Sequence, residues 1–303
     1  MSRWVMGVDG GGTRTRVVVL DGEGNELGRA EGPGAVAEAG DPAAAAGAVA
    51  EACTRAVSAA GLTGPADALW VGLAGAGRED ARSAVEIEVE RMGLARTVHV
   101  DTDVRAAFHD AFREGPGVLL ISGTGSIAWG RAEDGREARV GGWGHHIGDE
   151  GSAWAIGLDA LRRVARQADG RAPDTLLQAA VLRHLGLDGV EGLVTWVGAA
   201  SKADVAALAP LVAKASGDGD AVAGEILARA VEDLERHVLA LLENLGPWKH
   251  PPEVALAGGL LGPGRVLRIP LVIAMRRHGL RVTEREPDAV AGAGTLALGM
   301  GSG

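Results

Sequence analysis

The sequence has a single cysteine, no tyrosine and few aromatic residues of any kind. Cys53 alone cannot build an internal disulfide framework or a CxxC metal site, so both are excluded. Phenylalanine and tryptophan supply an aromatic content of 3%, whereas hydrophobic residues as a whole reach 47%. Leucine, valine and alanine must therefore fill the core. A chain of 303 residues is long enough for one or two domains with complete cores.

Positive charge is scarce, and long apolar runs are absent. The 30 Lys and Arg residues face 40 Asp and Glu residues, which gives a net charge of −10 and argues against a general nucleic-acid or anionic-membrane binder. No run approaches the ~18 apolar residues of a membrane span. The first residues, MSRWVMGVDGG, contain no signal-peptide core. We therefore expect a soluble cytoplasmic protein without nucleic-acid or membrane partners, and a homodimer is one assembly that we consider.

What the sequence does contain is an internal repeat of a glycine-rich hairpin. VMGVDGGGTRTRVVVLDGEG near the N-terminus resembles VLLISGTGSIAWGRAEDGRE further on, with a constant offset of 113 residues. The aligned pairs are Gly10 with Gly123, Gly12 with Gly125, Thr13 with Ser126, and the turn Asp21-Gly22 with Asp134-Gly135. Each copy reads as strand, glycine-rich turn, strand, Asp-Gly turn and strand.

A second repeated pair indicates two related lobes. VGLAGAG (71–77) resembles VALAGGL (254–260), and both have the pattern of a short buried strand that ends in small residues. We predict an α/β fold with lobes at 1–114 and 115–303, and a last helix that packs back on the first lobe. The extra length of the second lobe, between about residues 153 and 245, has helical periodicity and predicts a helical insertion. Chance similarity between two glycine-rich hairpins is the alternative.

The glycine turns favour anion binding, because backbone N–H groups without a neighbouring Cβ can approach an anion closely. Asp9 at the end of the first strand can hold Mg²⁺ through water, and Thr13 and Thr15 add hydroxyls. The second turn, SGTGS, offers the hydroxyls of Ser122, Thr124 and Ser126. A Walker A loop is excluded, since Thr13-Arg14 stands where Lys-Ser/Thr is required. The GxGxxA match at Gly123 precedes a strand pattern and not a helix, so we discount a dinucleotide fingerprint.

Two further stretches carry polar groups. In VHVDTDVRAAFHDAF, a short strand leads to Asp103, which is either the N-cap of the next helix or a general base in a cleft. In GGWGHHIGDEGSAWAIG, Asp149 and Glu150 precede a helix that begins near Ser152, as caps or as acceptors for hydroxyls. His145 and His146 are adjacent and make a poor metal pair. Trp143 either packs in the core or presents a flat surface to a sugar ring.

Together, GVDGGGTRT, VDTD, ISGTGS, GGWGHHIGDEGS and VALAGGL resemble the N-acetylglucosamine kinase and benzoyl-CoA-reductase-activator ATPase family, within the actin, Hsp70 and sugar-kinase superfamily. The resemblance spans Gly7 to about Gly294 and implies two RNase-H-like (actin-like ATPase) lobes that close over ATP in a cleft. It implies that Asp103 is the catalytic base and that Asp9 binds Mg²⁺. The implied cofactor-binding residues are Gly10, Gly11, Gly12, Thr13, Thr15, Gly123, Thr124, Gly125, Ser126, Gly258 and Gly259. The implied sugar-binding residues are Thr124, Gly142, Trp143, Gly144 and Asp149. Gly292 to Gly294 match a connection between the lobes.

One position departs from the family pattern. Kinases of this family carry an asparagine that binds sugar hydroxyls, and Ala35 stands about where it would fall. We still expect an ATP-dependent kinase of an amino sugar, N-acetylglucosamine or glucosamine, acting at the 6-hydroxyl. The alternatives are a kinase of another sugar, a non-catalytic regulator, and an ATPase that drives a partner protein. Activators of the last kind hold an iron–sulfur cluster with several cysteines, and here only Cys53 is present.

Overall fold

The computed structural model describes residues 3–38 and 40–300, and it divides into two compact units. Unit 1 contains the described residues up to Gly115 and from Pro287 onward, and unit 2 contains Pro116–Glu286. Each unit has one five-stranded sheet. The fold is thus mixed α/β with two sheets, as the sequence predicts.

The sheet of unit 1 combines an antiparallel meander with two parallel strands. Its order is β3-β2-β1-β4-β5; β1, β2 and β3 run antiparallel, whereas β4 and β5 follow β1 in parallel. The strands are β1 Trp4–Gly10, β2 Arg14–Asp21, β3 Glu26–Pro33, β4 Ala66–Leu73 and β5 Ala95–Thr102. The helices that follow them are α1 Pro42–Ala59, α2 Glu79–Arg91 and α3 Asp103–Phe112.

Unit 2 repeats this arrangement, which confirms the predicted repeat. Its sheet order is β10-β9-β6-β7-β8, with the same antiparallel meander and the same parallel pairing of the first strand with the fourth. The strands are β6 Gly117–Ser122, β7 Ser126–Arg131, β8 Glu137–Gly141, β9 Glu253–Ala257 and β10 Arg281–Val282. The helices are α4 Ala153–Ala168, α5 Leu177–Leu185, α6 Gly192–Ala199, α7 Lys202–Ala206, α8 Ala209–Gly217, α9 Ala221–Leu245 and α10 Arg268–Arg277. Six of these helices lie between β8 and β9, where the sequence predicts an insertion.

Several helices begin at a residue whose side chain caps them. Asp41 and Asp220 accept hydrogen bonds from the third residue beyond them at the starts of α1 and α9. Ser152 does the same for α4. The alanine-rich face of α1 packs closely on the sheet of unit 1, where glycine replaces larger residues: a Cβ on Gly32 would lie 2.9 Å from Ala52 Cβ. Small side chains on both surfaces are how a core without many aromatics reaches full packing density.

The last helix, α11 (Ala289–Met300), belongs to unit 1 and packs on α3 and β1 through glycines. A Cβ on Gly7 of β1 would lie 2.0 Å from the backbone nitrogen of Gly294. A Cβ on Gly292 would lie 2.0 Å from the carbonyl oxygen of Ala106. Backbones can approach this closely only where both surfaces lack side chains.

Across 3–38 and 40–300, no helix combines the length and the apolar character needed to cross a membrane.

Candidate active site

The carboxyl edge of the sheet in unit 1 carries two aspartates. Asp9 lies opposite Gly72 in the parallel pairing of β1 with β4, and Gly72 lies opposite Asp101 in the pairing of β4 with β5. Chain continuation after β5 then places Asp103 above Gly72, where a Cβ on the glycine would be 3.2 Å from Asp103 Cα. Asp9 and Asp103 are consequently near enough for the charge of Asp9 to affect Asp103.

Asp103 is the first residue of α3 and not its cap. Thr102 is the N-cap, since its hydroxyl accepts a hydrogen bond from the Arg105 amide, so the interpretation of Asp103 as only an N-cap is wrong. The Asp103 carboxylate accepts one hydrogen bond, from the Val104 amide at 2.9 Å. Burial, and then the negative charge of Asp9, raise the pKa of Asp103 to about 7. A carboxylate with such a pKa can accept a proton near neutral pH.

Asp9 shares an ion pair with the neighbouring strand. Arg16, its register partner on β2, donates two hydrogen bonds to Oδ2 of Asp9, at 2.6 and 3.1 Å. Arg16 also lies 3.5 Å from Asp288 just before α11. The other oxygen, Oδ1 of Asp9, has no hydrogen-bond partner within the part of the chain that the structure describes. Arg16 was not recognised from the sequence, although its place six residues after Gly10 follows from the hairpin register.

The turn between β1 and β2 separates glycines needed for packing from glycines that face open space. A Cβ on Gly10 would lie 2.4 Å from Leu73 Cδ2, so that position requires glycine. At Gly11 and Gly12 the nearest atoms would be 3.8 and 4.0 Å away. The amides of Gly12 and Thr13 bond to no described residue, and both residues are exposed. This tip therefore presents two free N–H groups and the Thr13 hydroxyl to an anion.

Thr15 corrects one prediction. Its side chain is fully buried, and its hydroxyl donates to the carbonyl of Pro33 at 2.7 Å across the β2–β3 pair, so it is not offered to a ligand. We expect Thr15→Val to lower the free energy of unfolding by about 1–3 kcal/mol, because it leaves the Pro33 carbonyl unpaired. The apparent affinity for nucleotide should stay unchanged. Denaturant unfolding together with a nucleotide titration checks this, and weakened nucleotide binding with normal stability would return Thr15 to the site.

The matching turn in unit 2, between β6 and β7, also combines backbone that is open to a ligand with buried side chains that hold the turn. The amides of Thr124 and Gly125 bond to no described residue, and Thr124 is exposed. The Ser126 hydroxyl donates to the carbonyl of Glu150 at 2.6 Å, and its amide donates to Asp149 Oδ1 at 3.2 Å. The predicted phosphate contact by Ser126 is therefore wrong for this buried side chain, which instead fixes the turn. The Ser122 hydroxyl donates to the Gly151 carbonyl in the same way.

The glycines that follow β9 lie beside this turn, because β6 and β9 are parallel neighbours. Gly258 has a φ of 99°, and its Cβ would lie 2.4 Å from the Ser122 carbonyl oxygen, so it is needed for the fold. Gly259 has no atom near its missing Cβ, and its amide is 3.8 Å from the Cβ position of Gly123. Gly259 and Gly123 thus form one glycine surface where a ligand can approach the backbone.

The loop between β8 and α4 contains the predicted sugar-binding residues. Gly142 and Gly144 have φ values of 67° and 83°, which glycine adopts without strain. Trp143 is 64% exposed, so it does not pack in the core. The Arg139 guanidinium lies 4.7 Å from the centre of its ring and holds it by a cation–π contact. An exposed and oriented indole suits contact with a sugar ring.

Asp149, in the same loop, is buried and already paired. It has a φ of 61° and lies within the loop, with Oδ1 bound to the Ser126 amide and Oδ2 at 2.7 Å from Lys202 Nζ. Ser152, and not Asp149, caps α4. Oδ2 nevertheless has no hydrogen-bond partner among the described residues, so the sugar-binding role of Asp149 stays a prediction, in which Lys202 shares the carboxylate. No motif pointed to Lys202, which lies 53 residues further along the chain.

A cavity of about 280 Å³ lies behind this loop, between α4 and α9. Its lining includes His145, His146, Glu150, Trp154 and Asp233, but none of the predicted sugar-binding residues. The two histidine rings stack with centroids 4.0 Å apart, and His145 meets the edge of Trp154. Burial, and then His146 and Lys202, lower the pKa of His145. Among the described residues, no three His, Cys, Asp or Glu side chains are grouped to hold a metal ion.

Ala35 stands about where the family has a sugar-binding asparagine, but in the structure this position lies in the core. It is 1% exposed, belongs to the core of unit 1 and donates its amide to the Gly11 carbonyl at 3.0 Å. A side chain there faces protein and not a ligand. An asparagine at Ala35 would have to bury its amide, so the substitution would not restore a sugar contact.

Comparison with known proteins gives sugar kinases as relatives. The chain is 35% identical over 196 residues to the N-acetylmuramic acid/N-acetylglucosamine kinase of Clostridium acetobutylicum, and the match spans 64% of each chain. It is 30% identical to the glucosamine kinase of Vibrio cholerae over 82% of this chain and 88% of that one. The crystal structure of a candidate N-acetylglucosamine kinase from Chromobacterium violaceum is similar with a TM-score of 0.83 and 32% identity, covering 98% of this chain and 99% of that one.

The family assignment rests on a match along most of the sequence. The model of one family matches residues 6–276, a range that includes both glycine turns, Asp9 and Asp103, and the glycines after β9. The chain belongs to the BadF/BadG/BcrA/BcrD ATPase family.

Proposed function

We propose that this protein transfers the γ-phosphoryl group of ATP to the 6-hydroxyl of an amino sugar, N-acetylglucosamine or glucosamine. The observation that carries the proposal is Asp103, a carboxylate at the carboxyl edge of a sheet whose pKa is raised to about 7 by burial and by Asp9. A general base works best when its pKa is near the working pH. The sugar-kinase relatives supply the substrate class.

In the proposed reaction, Asp103 accepts the proton of the 6-hydroxyl as its oxygen forms a bond to the γ-phosphorus. The bond from the γ-phosphorus to the bridging oxygen breaks, and ADP leaves with that electron pair. The protein contributes mainly position and electrostatic stabilisation to such a transfer. The free amides of Gly12 and Thr13 in one turn, and of Thr124 and Gly125 in the other, are the donors we assign to phosphate oxygens. Gly259 and Gly123 have no side chains, so the nucleotide has room to contact the protein backbone just after β9.

Asp9 is the residue we assign to Mg²⁺, and the residues around it fit that ion. Its Oδ1 is free of protein donors while Arg16 holds Oδ2, so the carboxylate is oriented with one oxygen available. Mg²⁺ is commonly held by one or two carboxylates, water and the phosphates of a nucleotide, and needs no larger protein cage. When bound, the ion screens the charge of the phosphates. Its charge near Asp9 also offsets the repulsion that Asp9 exerts on Asp103.

The alternative of an ATPase that drives a partner protein has little support in this chain. Cluster-bearing activators hold iron with thiolates, and the thiol here is unsuited to that role. Cys53 lies in α1, fully buried, and burial raises its pKa to about 12. No second cysteine exists. Sugar-dependent turnover is accordingly the behaviour that separates the two functions.

A sugar panel measured by ADP release tests the proposal. We expect ADP release with N-acetylglucosamine or glucosamine, and a smaller kcat/KM with glucose. The 6-deoxy form of the preferred sugar is the matched control, because it keeps every recognition group except the accepting hydroxyl and should give no turnover. Glucose turnover equal to that of both amino sugars would overturn the substrate class. ADP release that is independent of sugar would instead favour the partner-driving ATPase.

A further inference from the structure

Lys202 places a cation in the loop region assigned to the sugar. It is the first residue of α7, and the capping box formed by Ser201 and Asp204 fixes the start of that short helix. Its Nζ lies 2.7 Å from Asp149 Oδ2 and 3.0 Å from the Cβ position of Gly125. The Lys202 side chain is 31% exposed, whereas that of Asp149 is 4% exposed. A molecule that approaches this loop therefore meets the ammonium group before the carboxylate.

The ammonium group retains donors after pairing with Asp149. A lysine has three N–H donors, and the 2.7 Å contact with Asp149 Oδ2 is an ion pair without hydrogen-bond geometry, so it leaves these donors available. Asp149 gives its other oxygen to the Ser126 amide, so the pair is anchored to the turn between β6 and β7. His145 on the same loop has a lowered pKa, owing first to burial and then to His146 and Lys202, so it stays neutral at pH 7. Lys202 and Arg139, which stacks on Trp143, are then permanent positive charges beside this loop, and Asp149 offsets part of the charge of Lys202.

We propose that Lys202 is a charge filter that disfavours amino sugars with a protonated amine and accepts N-acylated amino sugars, including those that carry a carboxylate. This inference rests on the proposed function, since it concerns the sugar site of that reaction. A free 2-amino group has a pKa of about 8, near that of an α-amino group, so it is largely protonated at pH 7. An N-acyl group removes that charge, and a carboxylate substituent gives the ammonium an opposite charge to pair with.

The pair with Asp149 makes the effect of Lys202 on charge selection testable. With Lys202 present, the carboxylate of Asp149 is neutralised. Replacement by methionine keeps the apolar stem but leaves the buried carboxylate uncompensated, which attracts a protonated amine and repels a carboxylate. One relative is named for N-acetylmuramic acid, which carries a carboxylate, and another for glucosamine, which carries a protonated amine at pH 7. The two sugars have opposite charges and are therefore suitable probes.

The experiment compares Lys202→Met with Lys214→Met for glucosamine, N-acetylglucosamine and N-acetylmuramic acid. Lys214 is an exposed lysine of the same unit that pairs with Asp218, so it controls for the loss of a positive charge at a distance. At pH 7 we expect Lys202→Met to raise the kcat/KM ratio of glucosamine to N-acetylglucosamine about tenfold. The ratio of N-acetylmuramic acid to N-acetylglucosamine should fall. Lys214→Met should change neither ratio, and Lys202→Arg should keep both near the wild-type values.

The pH dependence gives a second readout that does not require a variant. In the wild-type protein, kcat/KM for glucosamine should rise between pH 7 and 9 relative to that for N-acetylglucosamine, because only glucosamine loses a proton in this range. Unchanged ratios in a folded Lys202→Met protein, or a wild-type preference for glucosamine at pH 6.5, would overturn the charge filter while leaving the kinase intact. The absence of ADP release with every sugar would instead contradict the proposed function.

Discussion

Asp103→Asn is expected to lower sugar-dependent kcat by about 10²–10⁴-fold, which is the usual contribution of a general base. The same substitution should stabilise the fold above pH 7. Because the folded-state pKa of Asp103 is raised from 3.8 to about 7, the folded protein binds this proton more tightly than the unfolded chain does. The stabilisation from that proton is complete below pH 4 and is lost as the pH rises through 7. Asparagine has no charge to bury and avoids the loss.

Asp101, two residues earlier, is the matched control for Asp103. Burial favours a higher pKa for Asp101, but hydrogen bonds from His99 and the Thr102 amide, together with the charge of Arg105, outweigh it and lower the pKa. Asp101→Asn should therefore destabilise the protein at neutral pH, with the loss disappearing in acid. Rates between pH 5 and 9, and thermal melts of both variants between about pH 3 and 9, decide the matter. Two results would remove Asp103 as the buried base. One is normal turnover by Asp103→Asn, and the other is a melting temperature of this variant below that of the wild type above pH 7.

The rate profile of the unmodified protein follows from the same pKa. Asp103 must be ionised to accept a proton, so kcat/KM, which reports the unliganded protein, should fall as the pH drops below about 7.

Gly7→Ala is expected to have the largest effect on stability. The added methyl group would lie 2.0 Å from the Gly294 nitrogen and 2.5 Å from the Ala293 carbonyl carbon. These are backbone atoms, so no side-chain rotation relieves the overlap, and either β1 or α11 must move. Overpacking in a core typically costs about 1–3 kcal/mol and occasionally more, and a backbone clash belongs at the upper end.

Gly12→Ala is the matched control for Gly7→Ala. The same methyl group at Gly12 meets open space, with the nearest atom 4.0 Å away. Its stability should match the wild type, whereas its KM for ATP should rise, since a Cβ now stands where we place phosphate oxygens. Urea unfolding and ATP saturation curves measure the two effects. If Gly7→Ala unfolds at the wild-type urea concentration, α11 does not pack on β1 as closely as the structure shows.

The repeat could be predicted from sequence because glycine and Asp-Gly turns are local signals. The matching strand orders of the two sheets follow from it. The roles of single hydroxyls could not be predicted, since they depend on register. Thr15 lies opposite Gly32 of β3, and its buried hydroxyl donates to the Pro33 carbonyl, whereas Thr13 lies at the exposed tip. The sequence offered Asp103 as a possible N-cap, whereas the backbone places the cap one residue earlier, at Thr102.

Lys202 could not be predicted for a different reason. Its contact with Asp149 joins the start of α7 to the loop before α4, and it depends on how the helices between them fold. Nothing in the local sequence of α7 indicates that partner. Arg16 is an intermediate case. Its register with Asp9 can be derived once the turn length is known, but three consecutive glycines leave several turn lengths open.

The place of α11 in the chain has a consequence for biosynthesis. Unit 2 is one uninterrupted segment, Pro116–Glu286, so all of its strands and helices are available before the last helix has been translated. Unit 1 is different: β1 leaves the ribosome long before the glycine face of α11 that covers it, which comes from residues near 290. Until then, one apolar face of the first sheet stays uncovered and exposed to chaperones or to aggregation. Translation thus imposes an order in which the second unit can finish first and the unit that started first finishes last.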